Sequence, residues 1–183
     1  MGGGGGKGML TESSEALCRS CHGGVVEKAA AVKVPHAPME GDCRTCHAPH
    51  VSEETALLAQ PEVLLCESCH DGLPKESKEP IVHFPFLDGN CAACHTAHGS
   101  DLPALGTKAQ PVLCLQCHRE QVDQMRMPQK HPPFETDACT SCHRPHSGKE
   151  PRLLMTAQAE LCATCHGEPA GGASPVTLHA PVA

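Results

Sequence analysis

The chain has 183 residues and a formal charge of −7, with 14 Lys and Arg against 21 Asp and Glu. It has no Trp or Tyr and only three Phe (Phe84, Phe86 and Phe134), while Gly and Pro each number 17. The acidic balance argues against a nucleic-acid partner. The shortage of large apolar side chains excludes a core able to offset the ordering entropy of the chain by itself.

The first residues, Met1 to Gly8, are seven parts glycine and methionine to one lysine and carry no apolar h-region. Residues 1–16 are therefore expected to form a flexible Gly-rich tail without a signal peptide. No run of 18 apolar residues follows, so no membrane-spanning helix is expected.

From Leu17 onward one pentapeptide governs the chain. Cys18-Arg19-Ser20-Cys21-His22 has the form Cys-x-x-Cys-His, and the form returns six times. The cysteine pairs are Cys18 and Cys21, Cys43 and Cys46, Cys66 and Cys69, Cys91 and Cys94, Cys114 and Cys117, Cys139 and Cys142, and Cys162 and Cys165. The histidines that follow them are His22, His47, His70, His95, His118, His143 and His166. All 14 cysteines are used. Two thiols three positions apart can add to the two vinyl groups of one haem, and the adjoining His then reaches the iron from one face. The expectation is seven covalently attached haem c groups.

Other readings of the motif fail on its histidine. Zinc ribbons need four ligands but no His directly after each second Cys. A disulfide framework leaves the His unexplained and would close a small, strained loop at every pair. Thioredoxin-type motifs occur once, in a βαβ setting that is missing here.

The first cysteines advance by 25, 23, 25, 23, 25 and 23 residues, so the repeat is 48 residues with two motifs. A single seven-haem domain over 17–181 is expected, built from repeats 17–64, 65–112 and 113–160 and a half repeat 161–183. The fold class is mostly irregular with short α-helices: an elongated, haem-cored repeat with little or no β-sheet. Ser52-Glu53-Glu54-Thr55 is expected to start a short helix. The apolar patches around Pro61 are expected to be broken. Leu153 to Leu161 is the best helix candidate, and the segments around Pro35, Pro80, Pro128 and Pro132 are expected to be extended or turns.

Seven further histidines lie outside the motifs, one per expected haem: His36, His50, His83, His98, His131, His146 and His179. His36, His83, His131 and His179 each stand two residues before a proline, while His50, His98 and His146 each stand three residues after an even-motif His. This register makes them the candidate distal iron ligands. Met would be the rival ligand, but the methionines do not recur in register.

The doubled unit resembles the doubled-motif multihaem c-type cytochromes, in particular the periplasmic decahaem conduit cytochromes of metal-reducing bacteria. The carrying residues are Cys43-Arg44-Thr45-Cys46-His47-Ala48-Pro49-His50 and Cys139-Thr140-Ser141-Cys142-His143-Arg144-Pro145-His146, with the middle copy departing at Thr96-Ala97. The resemblance implies low-spin haems in a row, near-parallel and perpendicular haem contacts, and electron transfer.

With every iron supplied with two ligands, no site is left for a substrate, so no enzyme and no catalytic residue are expected. The expected function is electron transfer along seven bis-His haems in the periplasm or outside the cell, where haem c is attached. A subunit of an extracellular cytochrome filament and a haem enzyme with one open site are the alternatives. Two propionates per haem bring the charge to roughly −21 reduced and roughly −14 oxidised, which favours basic redox partner proteins. A porin, a membrane quinol oxidoreductase or further copies of the chain head to tail are candidate partners.

His50 follows His47 too closely to cross to the far face of the same haem. Two pairing schemes follow. In the first, His50 serves haem 1 and His36 haem 2, His98 and His83 serve haems 3 and 4, His146 and His131 serve haems 5 and 6, and His179 closes haem 7. In the second, every ligand points forward, from His36 at haem 2 to His146 at haem 7, with His179 left for haem 1 of another molecule.

Overall fold

The protein is seen here as a computed structural model that describes residues 10–136 and 138–167. His179 and the glycine run lie outside the described residues.

The longest helix, α1 (Ser14–Ala31), starts where Ser13 accepts the Ala16 N–H and Glu15 sits in the first turn. It takes in residues 14–16, which the sequence places in the tail, and it carries the whole first motif. His22 departs from helical dihedrals inside it (φ −107°, ψ 24°). The chain then runs through β1 (Val34–Pro35), α2 (Glu62–Glu67), α3 (Leu73–Glu76), β2 (Ile81–Val82), α4 (Phe84–Leu87) and β3 (Gly99–Ser100). It continues through α5 (Gln110–Leu115), α6 (Glu120–Gln124), α7 (Pro132–Glu135), β4 (Ser147–Gly148) and α8 (Gln158–His166). Tight 3-10 turns lie between them, among them Cys43–Thr45, Cys91–Ala93 and Cys139–Ser141.

The helices are short because proline punctuates the chain. Pro74, Pro85 and Pro132 occupy the first positions of α3, α4 and α7, and Pro61 directly precedes α2. There a missing N–H costs nothing, whereas further in it would break the helix. The segment expected to start a helix at Ser52 instead forms a 3-10 turn, Thr55–Leu57, with Ala56 in a left-handed conformation. The helix expected from Leu153 begins only at Gln158, because Leu153 is itself left-handed (φ 57°) and Ala157 is extended.

Two antiparallel ladders of two residues each are the whole of the sheet among the described residues. β1 pairs with β3 (Val34 opposite Ser100), and β2 pairs with β4 (Ile81 opposite Gly148). This is the irregular, short-helix class read from the sequence. The chain forms two compact units. One joins the chain up to Cys69 with Cys91–Ala109, and it holds the β1–β3 ladder. The other joins His70–Asn90 with the chain from Gln110 onward, and it holds the β2–β4 ladder.

Among the described residues neither unit has a side-chain core. Among the described residues Ala29 is the one apolar residue that is buried, while Leu57, Leu64, Phe84, Leu87 and Val112 are exposed. Apolar groups of that size leave water only against something else that is apolar.

Candidate haem sites

The even motifs share one construction, repeated at 48-residue intervals. Each opens with a 3-10 turn, at Cys43–Thr45, Cys91–Ala93 and Cys139–Ser141. Asp42 starts the first by accepting the Arg44 N–H at 2.9 Å, and the Arg44 guanidinium holds its carboxyl down at about 2. The chain then returns to bridge the motif histidine: His47 pairs with Leu58, His95 with Gly106 and His143 with Leu154. The return is made by two consecutive left-handed residues: Ala56 and Leu57, Ala104 and Leu105, Arg152 and Leu153, with φ between 52° and 58°. Non-glycine residues enter this region at a cost of about 1–3 kcal/mol each, so such a pair is held by its surroundings.

The left-handed pair aims one carbonyl at the motif histidine. Nδ1–H of His47 donates to Ala56 O at 2.9 Å, that of His95 to Ala104 O at 2.7 Å, and that of His143 to Arg152 O at 2.9 Å. This fixes the ring and its tautomer and presents Nε2 as the ligating nitrogen, the usual outer-shell arrangement of a metal-bound histidine. The sequence reading missed these anchors. Their trace in the sequence is the leucine at 57, 105 and 153, ten residues after each even-motif His.

The odd motifs are built on helix. Motif 1 lies in α1, motif 7 in α8, and motifs 3 and 5 begin at the ends of α2 and α5. In three of them a hydroxyl before the second cysteine donates back to the leucine ahead of the motif: Ser20 to Leu17 O, Ser68 to Leu65 O and Thr164 to Leu161 O, each at 2.7 Å.

A second set of contacts brings motifs together. Four residues before each of the first three odd motifs, a polar side chain reaches the following even motif. Ser14 Oγ donates to Asp42 at 3.3 Å, Glu62 accepts the Ala92 N–H at 2.6 Å, and Gln110 Nε2 donates to Thr140 Oγ1 at 2.7 Å. In the first unit the thiols adjoin as a result. Burial pushes the Cys43 thiol up, and its contact with Cys18 pushes further. The Cys66 thiol goes up to about 11, through burial first and then Cys91. Cys46 is raised by burial and then by Cys69. Attachment points of motifs 1 and 2, 2 and 3, and 3 and 4 are thus neighbours in chain order.

Three of the non-motif histidines are also anchored. Nδ1–H of His36 donates to Ala97 O at 2.6 Å and that of His83 to Pro145 O at 2.8 Å, while that of His146 donates to Glu76 at 2.9 Å. Phe86 stacks on His146 with centroids 4.6 Å apart and planes at 12°. Three histidine pairs face each other at a longer distance. His47 and His98 have centroids 6.1 Å apart, His83 and His118 5.9 Å, and His131 and His166 5.8 Å. Each pair joins one motif histidine to one non-motif histidine.

These pairs differ from both pairing schemes. His98 faces motif 2 rather than motif 3 or 5, His83 faces motif 5 rather than motif 4, and His131 faces motif 7, the place the first scheme gives to His179. For His83 the cause is a ladder: the strand before it pairs with the strand after His146, and His83 N–H donates to His146 O at 2.8 Å. The histidine is thereby carried out of its own repeat into the next. His50 is exposed beside motif 2, and His179 lies outside the described residues.

The residues fit haem c. Two imidazoles on one iron need ring centres roughly 6 Å apart, from two bonds of about 2 Å and about 1 Å from each nitrogen to its ring centre. Beside His146 a cavity of ≈ 540 Å³ is lined by Glu76, Glu79, Arg144, Lys149 and Met155, with no motif cysteine in its lining. A fold without its own core, with paired thiols and anchored histidines in register, defines a multihaem c-type cytochrome.

The chain matches the family described as doubled CXXCH motif over residues 36–75, 83–123 and 131–171, more than half its length, and it belongs to that family. A comparison with curated proteins finds no match. Among the described residues no helix is long and apolar enough to cross a membrane.

Proposed function

We propose that this protein is an electron carrier with seven haem c groups, working in the periplasm or outside the cell, and not an enzyme. When bound, each haem supplies a one-electron iron couple. The observation that carries the reading is the adjacency of attachment thiols in chain order, Cys18 with Cys43, Cys46 with Cys69, and Cys66 with Cys91. Successive cofactors held at neighbouring points are what a relay requires.

The chain's own part is to hold and orient. The seven thiol pairs fix the porphyrins. Ala56, Ala104 and Arg152 hold the proximal rings of motifs 2, 4 and 6 through Nδ1. His36, His50, His83, His98, His131, His146 and His179 would supply a second iron ligand, one for each haem, which would keep substrates off the iron. Placement outside the cytoplasm follows from where haem c is attached, and the acidic surface favours a basic redox partner.

Mass spectrometry should find seven haem adducts. The reduced protein should bind no carbon monoxide, and its potentials should be low and spread, without the positive values of His/Met ligation. Stoichiometric carbon monoxide binding to the wild-type protein overturns the carrier reading.

A further inference from the structure

We infer that three haems receive their second axial ligand across repeats: the haem on Cys43 and Cys46 from His98, the haem on Cys114 and Cys117 from His83, and the haem on Cys162 and Cys165 from His131. The assignment rests on the reading that haem c occupies the motifs, and it adds which histidine closes which haem.

Three observations converge on it. The first is distance. Phe86 and His146 show what a direct ring stack looks like in this molecule, at 4.6 Å and 12°. The three histidine pairs stand farther apart, at 5.8–6.1 Å, with planes at 21°, 27° and 37°. That separation matches the roughly 6 Å between ring centres that two imidazoles on one iron require.

The second observation is composition. Each pair holds one motif histidine and one non-motif histidine. The sense is regular as well. The histidine before the proline lies 35 residues ahead of its partner in both cases (His83 to His118, His131 to His166), whereas the histidine after the even motif faces a partner 51 residues behind it (His98 to His47).

The third is orientation. Nδ1–H of His47 is taken by Ala56 O and that of His83 by Pro145 O, so in two of the pairs one ring already presents Nε2. The β2–β4 ladder places His83 where it is, because His83 N–H and His146 O close the end of that ladder at 2.8 Å. The match to the doubled-motif family is framed in the same way: the segments 83–123 and 131–171 each open with the histidine and contain the motif it faces.

The test uses the seven-haem protein. In His98→Ala, one haem of the seven should turn high-spin by electron paramagnetic resonance, and the reduced protein should take up one carbon monoxide per molecule. The same substitution is then made in a six-haem protein that carries Cys43→Ala and Cys46→Ala. No further high-spin haem should appear there, because the haem that His98 serves is gone. A high-spin haem in both backgrounds means that His98 serves another site, and unchanged low-spin haems in the seven-haem variant mean that it is no ligand; either overturns the assignment. A density map of the wild-type holoprotein decides the matter without variants, by showing whether His98 Nε2 lies on the iron of the haem bound to Cys43 and Cys46. Failure of the underlying reading shows separately, as a protein mass without haem adducts, and overturns both.

Discussion

Motifs 1 and 7 ride on α-helix, in α1 and α8, whereas motifs 2, 4 and 6 sit on 3-10 turns closed by a loop with two left-handed residues. The helix sets the direction of its cysteines and histidine through its own backbone bonds. The turn lacks that regularity, so it borrows a carbonyl from nine residues downstream to hold the ring. Helical sites depend on helix propensity, and looped sites depend on a conformation that propensity opposes. The two therefore respond oppositely to the same changes.

The largest expected effect comes from withholding haem. Chain made without haem attachment should keep some helical signal from α1, since isolated helices of about 15 residues are marginal. It should lose the even-motif loops, whose left-handed residues have no side-chain core behind them. Circular dichroism should show no cooperative transition, and limited proteolysis should cut first within 43–59, 91–107 and 139–155. A protease-resistant apoprotein contradicts this.

Next come backbone substitutions in the holoprotein. Ala104→Pro demands φ near −65° where the chain has 52°, and should cost about 3 kcal/mol or more. Ala104→Gly removes the strain and should stabilise by about 1 kcal/mol. Ala163→Gly, inside α8, should destabilise by about 1 kcal/mol. Thermal unfolding of the three variants gives the signs, and a loss of stability in both glycine variants breaks the comparison.

The hydroxyls should follow the same division on a smaller scale. Ser100 is buried, donates to Gly106 O at 2.6 Å and accepts the Leu102 N–H at 3.0 Å. Ser100→Ala strands both groups and should cost about 1–3 kcal/mol. Ser68 is exposed and bonds a carbonyl that water can reach, so Ser68→Ala should stay within about 0.5 kcal/mol. Denaturant titration separates the two.

How much of this the sequence shows depends on the range of the interaction. The motifs, the 48-residue repeat and the set of candidate ligands are local or periodic, and they are legible in the residues themselves. The pairing is not. Both schemes favour ligands near in sequence, yet closing a loop twice as long costs only about 0.6 kcal/mol more. A ladder between Ile81–Val82 and Ser147–Gly148, or one serine reaching one carbonyl, can outweigh that difference. The left-handed leucines escape for another reason: Leu57, Leu105 and Leu153 read as apolar, helix-favouring residues, and only the closed loop forces them out of the ordinary range.

The smallest effect concerns the ligand anchors. His36 and His83 give Nδ1–H to backbone carbonyls, whereas His146 gives it to the carboxylate of Glu76 at 2.9 Å. Phe86 fixes the plane of the His146 ring, so the geometry of that bond is set from two sides. A carboxylate draws the proton more strongly than a peptide oxygen and makes the imidazole a better donor. On the reading that His146 is an axial ligand, its haem is biased toward the ferric state and has the lower potential. Glu76→Gln keeps an oxygen acceptor and removes the charge. One haem should then rise by tens of millivolts, on the order of 1 kcal/mol at 59 mV per tenfold change for one electron. Glu76 is partly solvated, which keeps the effect at the lower end. Spectroelectrochemical titration should show one component moving and the others still. A uniform shift of all components would mean that the change acts through net charge, and no shift would mean that His146 does not ligate iron.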